Sequence, residues 1–227
     1  MDLGIARYID HAVLKPELSR DEAVEAIKSG IFYGVKTVCV RPSDIETAIS
    51  LCKGSQTEVS CVLAFPHGCV PTEVKAFEAS QYVARGVAEV DMVANYGLIR
   101  SGLWKEVLAD IRAVREATAK AGVLLKIIFE TCTLTLDEIA RATEIAIEAG
   151  ADYVKTSTGF HSQGATEEAV YAMLKASAGR IRVKASGGIR DFEQARRYVE
   201  MGCDRLGVGY TTTPVLVKGE GKSDAAY

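Results

Sequence analysis

The sequence predicts a single-domain α/β protein whose strands close into a (β/α)₈ barrel. Eight short apolar segments alternate with helix-like segments, and glycines stand at most of the joins between them. Strict alternation is typical of parallel strands connected by right-handed crossovers. A chain of 227 residues is long enough for one such barrel. A doubly wound open sheet is the alternative, but the GxGxxG motif expected after its first strand is absent.

The first half of the chain supplies four of the strands. A weak first strand contains Asp10 and ends before Pro16, and the next helix begins with a capping box formed by Ser19 and Glu22. Buried apolar runs predict the strands that follow, and the segments between them have helical patterns. These strands cover residues 35–40, 58–65 and 88–95, and the helices cover residues 43–53 and 72–85.

The second half repeats the alternation four times. Its strands cover residues 124–130, 152–157, 180–186 and 203–209, and its helices cover residues 102–120, 136–149, 165–178 and 191–201. A polar stretch follows Pro214. We therefore expect the barrel domain to span residues 1–217 and residues 218–227 to form a flexible, polar C-terminal tail.

Composition excludes several classes of partner. The net charge is −3 and the isoelectric point is near 5.7, so no broad basic surface is expected for nucleic acid or an anionic membrane. No apolar run approaches the about 20 residues of a membrane span, and the N-terminus lacks the pattern of a signal peptide. We expect a cytoplasmic protein.

The cysteines and histidines do not indicate a disulfide framework or a metal site. The six cysteines contain no CxxC pair and stand mostly in apolar runs, which predicts reduced thiols. His11, His67 and His161 are too scattered to support a zinc site.

Four charged residues interrupt the apolar strands: Asp10, Asp91, Lys155 and Lys184. In a barrel the chemistry lies at the carboxyl ends of the strands. Lys155 falls on the sixth strand and Lys184 on the seventh, so both can point inward at a strand spacing of about 4.8 Å. A second ammonium and burial would lower the pKa of one lysine from about 10.4 towards about 7.

A neutral, buried amine of this kind is a nucleophile that forms Schiff bases with carbonyl compounds. Asp91 can hold Lys184 and carry protons, directly or through a water. The alternative is structural: the lysines reach water at the strand ends or pair with Asp91 and Glu130. Two lysines on adjacent strands, each followed by small residues, favour chemistry.

The loops after the last strands favour an anionic substrate. Gly187 and Gly188 offer backbone N–H groups ahead of a helix capped by Asp191, which suits a phosphate. Gly207 and Gly209, with the threonines that follow them, can do the same after the eighth strand. Ordinary turn glycines are the alternative for any one pair.

A family resemblance covers residues 9–209 in order. It rests on the motifs DHAVLKPE, CVRP, FPHG, EVDMVANYG, FETCTLT, AGADYVKTSTGF and VKASGGIR. Together they resemble deoxyribose-phosphate aldolases, class I aldolases with a TIM-barrel fold. The resemblance implies reversible cleavage of 2-deoxy-D-ribose 5-phosphate to acetaldehyde and D-glyceraldehyde 3-phosphate, with no metal or other cofactor. It also implies a homodimer or homotetramer whose partners are a phosphorylated sugar and aldehydes.

Site residues follow from matching positions. By resemblance Lys155 is the Schiff-base lysine, Lys184 is the lysine that lowers its pKa, and Asp91 is the proton-relay carboxylate. The remaining matches are Asp10 near the substrate hydroxyls, Cys39 beside the active site, and Gly159, Gly187 and Gly188 in the phosphate loops. The C-terminal Tyr227 matches a tyrosine that in some members folds over the site and helps to move a proton; a disordered end is the alternative.

Three positions depart from the family pattern. Ala12 stands where a threonine is common, and Arg41 replaces the asparagine of CVNP. Gly209 stands where the family has a serine that helps to hold phosphate, so a backbone N–H remains but a hydroxyl is lost. Gly209 prompts one alternative function, a class I aldolase that prefers unphosphorylated aldehydes. A second alternative, independent of these positions, is a non-catalytic barrel that binds sugar phosphates.

Overall fold

A computed structural model describes residues 4–219, 221 and 223 and contains a closed barrel of eight parallel strands. The strands follow one another in sequence order, and β1 pairs with β8 to close the barrel. The predicted fold class is confirmed. The strands are β1 (Ile9–Val13), β2 (Thr37–Val40), β3 (Glu58–Leu63), β4 (Glu89–Val93), β5 (Leu124–Ile128), β6 (Tyr153–Lys155), β7 (Arg182–Ser186) and β8 (Arg205–Gly209).

Helices surround the barrel and connect its strands. Two of them begin with capping boxes, the predicted one at Ser19 and Glu22 and a second at Thr135 and Glu138. The helices are α1 (Arg20–Phe32), α2 (Ile45–Cys52), α3 (Thr72–Ala84), α4 (Tyr96–Arg100), α5 (Trp104–Ala119), α6 (Leu136–Glu148), α7 (Glu167–Ser177), α8 (Phe192–Met201) and α9 (Thr213–Lys218).

Two short helices were not expected. The helix α4 follows β4 and is capped by the Asn95 side chain, which accepts a hydrogen bond from the N–H of Leu98. The helix α9 covers the polar stretch around and after Pro214, for which no helix was expected, and ends at the boundary predicted between the domain and the tail. Pro214 lies in its first turn, where a missing N–H costs nothing, and Leu216 is fully buried.

The apolar core lies between the strands and the helices, whereas the interior of the barrel is largely polar. Within the barrel, one small apolar cluster contains Ala12, Leu14, Cys39 and Val62. Barrel interiors are usually filled by layers of branched apolar side chains. Here charged side chains replace most of that filling, and they form the candidate site.

The cysteines agree with the prediction of reduced thiols. All six cysteines are free thiols, four of them buried. Across the described ranges, no helix combines the length and apolar character needed to cross a bilayer.

Candidate active site

A cluster of charged side chains fills the centre of the barrel. Each of its members is at most 4% exposed, which is unusual for ionisable groups unless they are paired. In the described part of the chain the cluster consists of Asp10, Glu89, Asp91, Lys126, Lys155, Lys184 and Arg205. We call this set the ion cluster.

The register of the strands brings these side chains together. Lys155 on β6 is the direct neighbour of Lys184 on β7, and Asp91 on β4 is the direct neighbour of Lys126 on β5. Alternate residues of a strand point to the same face, so Glu89 shares the inner face with Asp91. The predicted placement of the two lysines on adjacent strands, pointing inward, is confirmed.

Asp91 connects the three lysines. Its Oδ1 lies 2.6 Å from the Nζ of Lys126. Its Oδ2 lies 2.9 Å from the Nζ of Lys155 and 2.7 Å from that of Lys184. Among the residues that the structure describes, Asp91 is the one ion-pair partner of Lys155, whereas Lys184 also binds Asp10.

A second layer of ion pairs lies on the side of the cluster away from Lys155. Asp10 accepts hydrogen bonds from Lys184, from Arg205 at 2.5 Å and from the Thr37 hydroxyl at 2.8 Å. Glu89 pairs with Lys126 at 2.5 Å and with Arg205 at 3.1 Å. This layer holds Asp10 in place and anchors Lys184 through it.

The ion cluster contains four cationic and three anionic side chains, so its members carry a net charge of +1 when all are ionised. Burial by itself would raise the pKa of Asp91, but Lys126, Lys155 and Lys184 hold that pKa well below its usual value. The pKa of Asp10 is lowered in the same way, by Lys126, Lys184 and Arg205 against the effect of burial.

The expected lowering of the Lys155 pKa is wrong. Burial does act to lower the pKa of Lys155, but the carboxylate of Asp91 outweighs it and raises that pKa above the usual value. The prediction considered two ammonium groups side by side. The structure places a shared carboxylate oxygen between them, which each ammonium contacts.

The purely structural alternative is only partly supported. Lys155 and Lys184 are each 1% exposed, so neither reaches water at a strand end. Both lysines do pair with Asp91, but Glu130 hydrogen-bonds to Thr158 rather than to Lys155 or Lys184. The cluster therefore holds a lysine pair with a carboxylate in direct contact with both nitrogens.

A polar cavity of about 250 Å³ opens among the loops after β6, β7 and β8. Four of the predicted phosphate-binding residues line it together: Gly159, Gly187, Gly188 and Gly209. Arg190 and Thr212 complete part of the wall. The first three glycines have positive φ values of 85°, 82° and 74°, a backbone conformation that turns successive N–H groups towards one side and suits an anion.

Glycine is also required where the cavity wall meets the lysine pair. A Cβ atom on Gly207 would lie 2.5 Å from the Cβ of Ser186 and 3.3 Å from the Cε of Lys184. On the other side, a Cβ atom on Gly164 would lie 2.1 Å from the carbonyl oxygen of Gly187. The glycines thus let the loops approach one another and let Lys184 extend past β8.

The remaining predicted site residues lie in different places. Cys39 is buried in the apolar cluster inside the barrel, and burial raises the pKa of its thiol; Asp91, Lys184 and Lys155 are close enough to influence it. Tyr227 lies outside the described residues. Arg41 donates to the carbonyl oxygens of Lys15 and Leu18 and so fixes the loop after β1.

Sequence reasoning missed three members of the ion cluster: Glu89, Lys126 and Arg205. The signal was available, because Lys126 interrupts the apolar run LLKII and Glu89 precedes Asp91 by two positions on the same strand face. Arg205 stands at the start of its strand and resembled an ordinary boundary residue. No group of histidine, cysteine or carboxylate side chains in the described ranges has the arrangement of a metal site.

Comparison with known proteins gives one consistent family. The sequence profile of the DeoC/LacD family aldolases matches residues 4–208. The deoxyribose-phosphate aldolase of Bacillus cytotoxicus is 40% identical over 222 residues, which cover 98% of this chain and 99% of that protein.

Solved structures agree. The aldolase QR15 superposes with a TM-score of 0.89 at 39% identity, covering 95% of each chain. The deoxyribose-phosphate aldolase of Aeropyrum pernix, described as a tetramer, superposes with a TM-score of 0.87 at 25% identity and covers 94% of this chain and 89% of its own. With a profile match over most of its length and relatives this similar, the chain belongs to the DeoC/LacD family of aldolases, as an enzyme of the deoxyribose-phosphate aldolase type.

Proposed function

We propose that this enzyme reversibly cleaves 2-deoxy-D-ribose 5-phosphate to acetaldehyde and D-glyceraldehyde 3-phosphate through a Schiff base on Lys155. The observation that carries the proposal is the contact of one Asp91 oxygen with both lysines, at 2.9 Å from Lys155 and 2.7 Å from Lys184. A nucleophilic amine and a proton-transferring carboxylate are the two groups that this chemistry needs.

Lys155 is the best nucleophile because it is the least restrained lysine of the ion cluster. Lys126 contacts three carboxylates and Lys184 contacts two, whereas Lys155 contacts Asp91. Loss of one proton brings the cluster of described residues from a net charge of +1 to neutrality. The fewest ion pairs are lost when that proton leaves Lys155, because Lys155 contacts Asp91, whereas Lys184 contacts both Asp10 and Asp91.

The neutral amine of Lys155 attacks C1 of the open-chain sugar and forms a carbinolamine, which loses water to give an iminium ion. The iminium draws electrons from the C2–C3 bond as a base removes the proton of the C3 hydroxyl. The bond breaks, D-glyceraldehyde 3-phosphate leaves, and an enamine remains on Lys155. A proton added to its C2 and then hydrolysis release acetaldehyde and regenerate the amine.

Asp91 and Lys184 are the proton-transfer pair in this scheme. Asp91 contacts the nitrogen that becomes the iminium, so it lies within reach of protons that leave or enter at the carbinolamine, directly or through a water. Lys184 stabilises the Asp91 carboxylate and returns protons through it. Because the iminium itself is the electron sink, we expect activity to survive treatment with EDTA.

The phosphate is proposed to bind in the cavity lined by Gly159, Gly187, Gly188 and Gly209. Backbone N–H groups there, with Arg190 on the wall, favour a dianion. Gly209 lacks the family hydroxyl, which favours a second candidate function, an aldolase that prefers unphosphorylated aldehydes.

The test compares cleavage of deoxyribose 5-phosphate with that of deoxyribose by following acetaldehyde release. We expect a higher kcat/KM for the phosphate, loss of activity in Lys155→Met, and unchanged activity in Lys120→Met, an exposed matched control. A preference for deoxyribose would support the second candidate. Binding of deoxyribose 5-phosphate without release of acetaldehyde from either sugar would overturn both candidate functions and favour a non-catalytic barrel.

We also propose that the enzyme is a homodimer or homotetramer acting in the cytoplasm. A tetramer is described for the aldolase of Aeropyrum pernix, and six free cysteines suit a reducing compartment. Light scattering during size-exclusion chromatography gives the mass of the oligomer, and the mass of a monomer would contradict the proposed dimer or tetramer. Cell fractionation tests the location.

A further inference from the structure

The wall of the phosphate cavity after β8 has no side chain at Gly209, but a hydroxyl stands three residues further on. Thr212 lines the same cavity and is 5% exposed. Its N–H donates a hydrogen bond of 2.9 Å to the carbonyl oxygen of Gly209. This turn holds the Thr212 side chain at the wall that Gly209 leaves open.

Ser223 ties Thr212 to the opposite side of the cavity. The Thr212 hydroxyl donates to the Oγ of Ser223 at 3.1 Å, and the N–H of Ser223 donates to the carbonyl oxygen of Arg190 at 2.9 Å. Arg190 belongs to the loop after β7 and lines the cavity as well. Ser223 is 7% exposed, so this connection is shielded from bulk water.

We propose that Thr212, oriented by Ser223, supplies the side-chain hydroxyl that binds the substrate phosphate in this enzyme. The inference rests on the proposed function, because it assigns the phosphate of that substrate to the cavity. It makes Thr212 a specificity-determining residue, since it selects for the phosphorylated over the unphosphorylated sugar.

The hydrogen bonds can rearrange to allow this role. A hydroxyl group is one donor and two acceptors, and its proton rotates to suit its surroundings. In this structure Thr212 donates to Ser223. When a phosphate dianion enters, Ser223 donates to Thr212 and Thr212 donates to a phosphate oxygen, a charge-assisted bond stronger than the neutral one it replaces.

The cavity supplies the rest of the anion site. Gly187 and Gly188 have positive φ values and offer N–H groups, and Arg190 brings a positive charge to the same wall. A single hydroxyl on the β8 side then completes a ring of donors around the cavity. Without it, the described residues on that side of the lining would offer the backbone near Gly209.

The experiment uses Thr212→Val, which keeps the side-chain shape and removes the hydroxyl, and Thr212→Ser, which keeps the hydroxyl. Two quantities are measured: the Kd of inorganic phosphate by calorimetry, and kcat/KM for deoxyribose 5-phosphate and for deoxyribose. Thr47→Val on the outer helix α2 is the matched control.

We expect Thr212→Val to weaken phosphate binding and lower kcat/KM for the phosphorylated sugar by about 10- to 100-fold, the effect of losing one hydrogen bond to a charged group. The kcat/KM for deoxyribose should stay near the wild-type value. Thr212→Ser should stay within about threefold of wild type because it retains the bond. Adding Gly209→Ser to Thr212→Val should recover part of the loss.

Two results would overturn the inference. One is an unchanged phosphate Kd and an unchanged ratio of the two kcat/KM values in Thr212→Val. The other is an equal loss on both sugars, which would show that Thr212 serves only to hold the chain near Ser223. The Kd of inorganic phosphate distinguishes the proposed reaction from the proposed role of Thr212. If the wild-type protein lacks aldolase activity but Thr212→Val still weakens phosphate binding, the proposed reaction is wrong and the proposed role of the Thr212 hydroxyl stands.

Discussion

Replacing Asp91 by asparagine removes the carboxylate that, within the described part of the chain, is the ion-pair partner of Lys155. In the wild-type arrangement Asp91 raises the pKa of Lys155 against the opposing effect of burial. Asparagine has nearly the same shape but no charge. Burial and the Lys126 ammonium group then act on Lys155 without the opposing carboxylate, so its pKa must fall.

The size of the change follows from the distance. At the 2.9 Å that separates the Lys155 nitrogen from the Asp91 oxygen, the attraction at an effective dielectric constant of 20 is about 6 kcal/mol. Because neighbouring groups relax, the energy that is lost is smaller than this value, but it is lost in the direction that lowers the pKa of Lys155.

The assay measures the rate of borohydride trapping of acetaldehyde on Lys155 as a function of pH. Trapping requires the neutral amine, so its midpoint should move to lower pH in Asp91→Asn. Turnover of the sugar should nevertheless fall, because the proton-transfer group is lost. The folded state should also be less stable by about 3 to 5 kcal/mol, since three buried ammonium groups lose a partner.

Asp10→Asn is the matched control. It removes a carboxylate from the same ion cluster, but Asp10 contacts Lys126, Lys184 and Arg205 rather than Lys155. Its trapping midpoint should shift less than that of Asp91→Asn. An Asp91→Asn midpoint that is unchanged or moves to higher pH would refute the electrostatic reasoning.

Three further predictions concern stability and the shape of the site. Burial lowers the pKa of His11 to about 4, so the unfolded chain binds the proton first and the free energy of unfolding should fall by about 3 kcal/mol as the pH drops from about 6.5 to about 4. In urea unfolding at several pH values, His11→Gln should lack this pH dependence and His67→Gln, at an exposed position, should keep it. Equal pH dependence in the two variants would contradict the assignment. Gly207→Ala places a Cβ atom 2.5 Å from the Cβ of Ser186 and 3.3 Å from the Cε of Lys184, so kcat should fall by about 100-fold while circular dichroism stays unchanged. Full activity would show that Lys184 need not pass β8 at this point. Lys75→Met removes the ammonium group that lies 2.6 Å from the buried Asp110 carboxylate, and it should lower the free energy of unfolding by about 3 to 5 kcal/mol. Combining Lys75→Met with Asp110→Leu should recover much of that stability. A double variant as unstable as Lys75→Met would show that an unpaired Asp110 charge is not the cause.

The fold could be predicted almost completely because each of its signals is local. Apolar runs, glycine joins and the capping box at Ser19 lie within a few residues of one another in the sequence. The exceptions are α4 and α9, whose formation depends on packing. Leu216 of α9 is fully buried by the rest of the barrel, and the residues around it in the sequence give little sign of that.

The site could be predicted in its membership but not in its electrostatics. Lys155 and Lys184 stand out because lysine is rare in buried strands, and strand order makes them neighbours. The contact of Asp91 with both nitrogens depends on side-chain positions across four strands, so the sign of the Lys155 pKa shift could not be inferred from the sequence. The sequence grouped Thr212 with the other threonines after Gly209 as candidates to bind phosphate, but its hydrogen bond to Ser223, 11 positions away, could not be inferred from the sequence.

The identity of the nucleophile is tested most directly by reducing the enzyme with borohydride in the presence of acetaldehyde and mapping the modified peptide by mass spectrometry. Our account predicts one ethyl group on Lys155, no adduct at that position in Lys155→Met, and a slower but identical modification in Lys184→Met. An ethyl group on Lys184 or Lys126 with Lys155 unmodified, or no adduct at all, would contradict it.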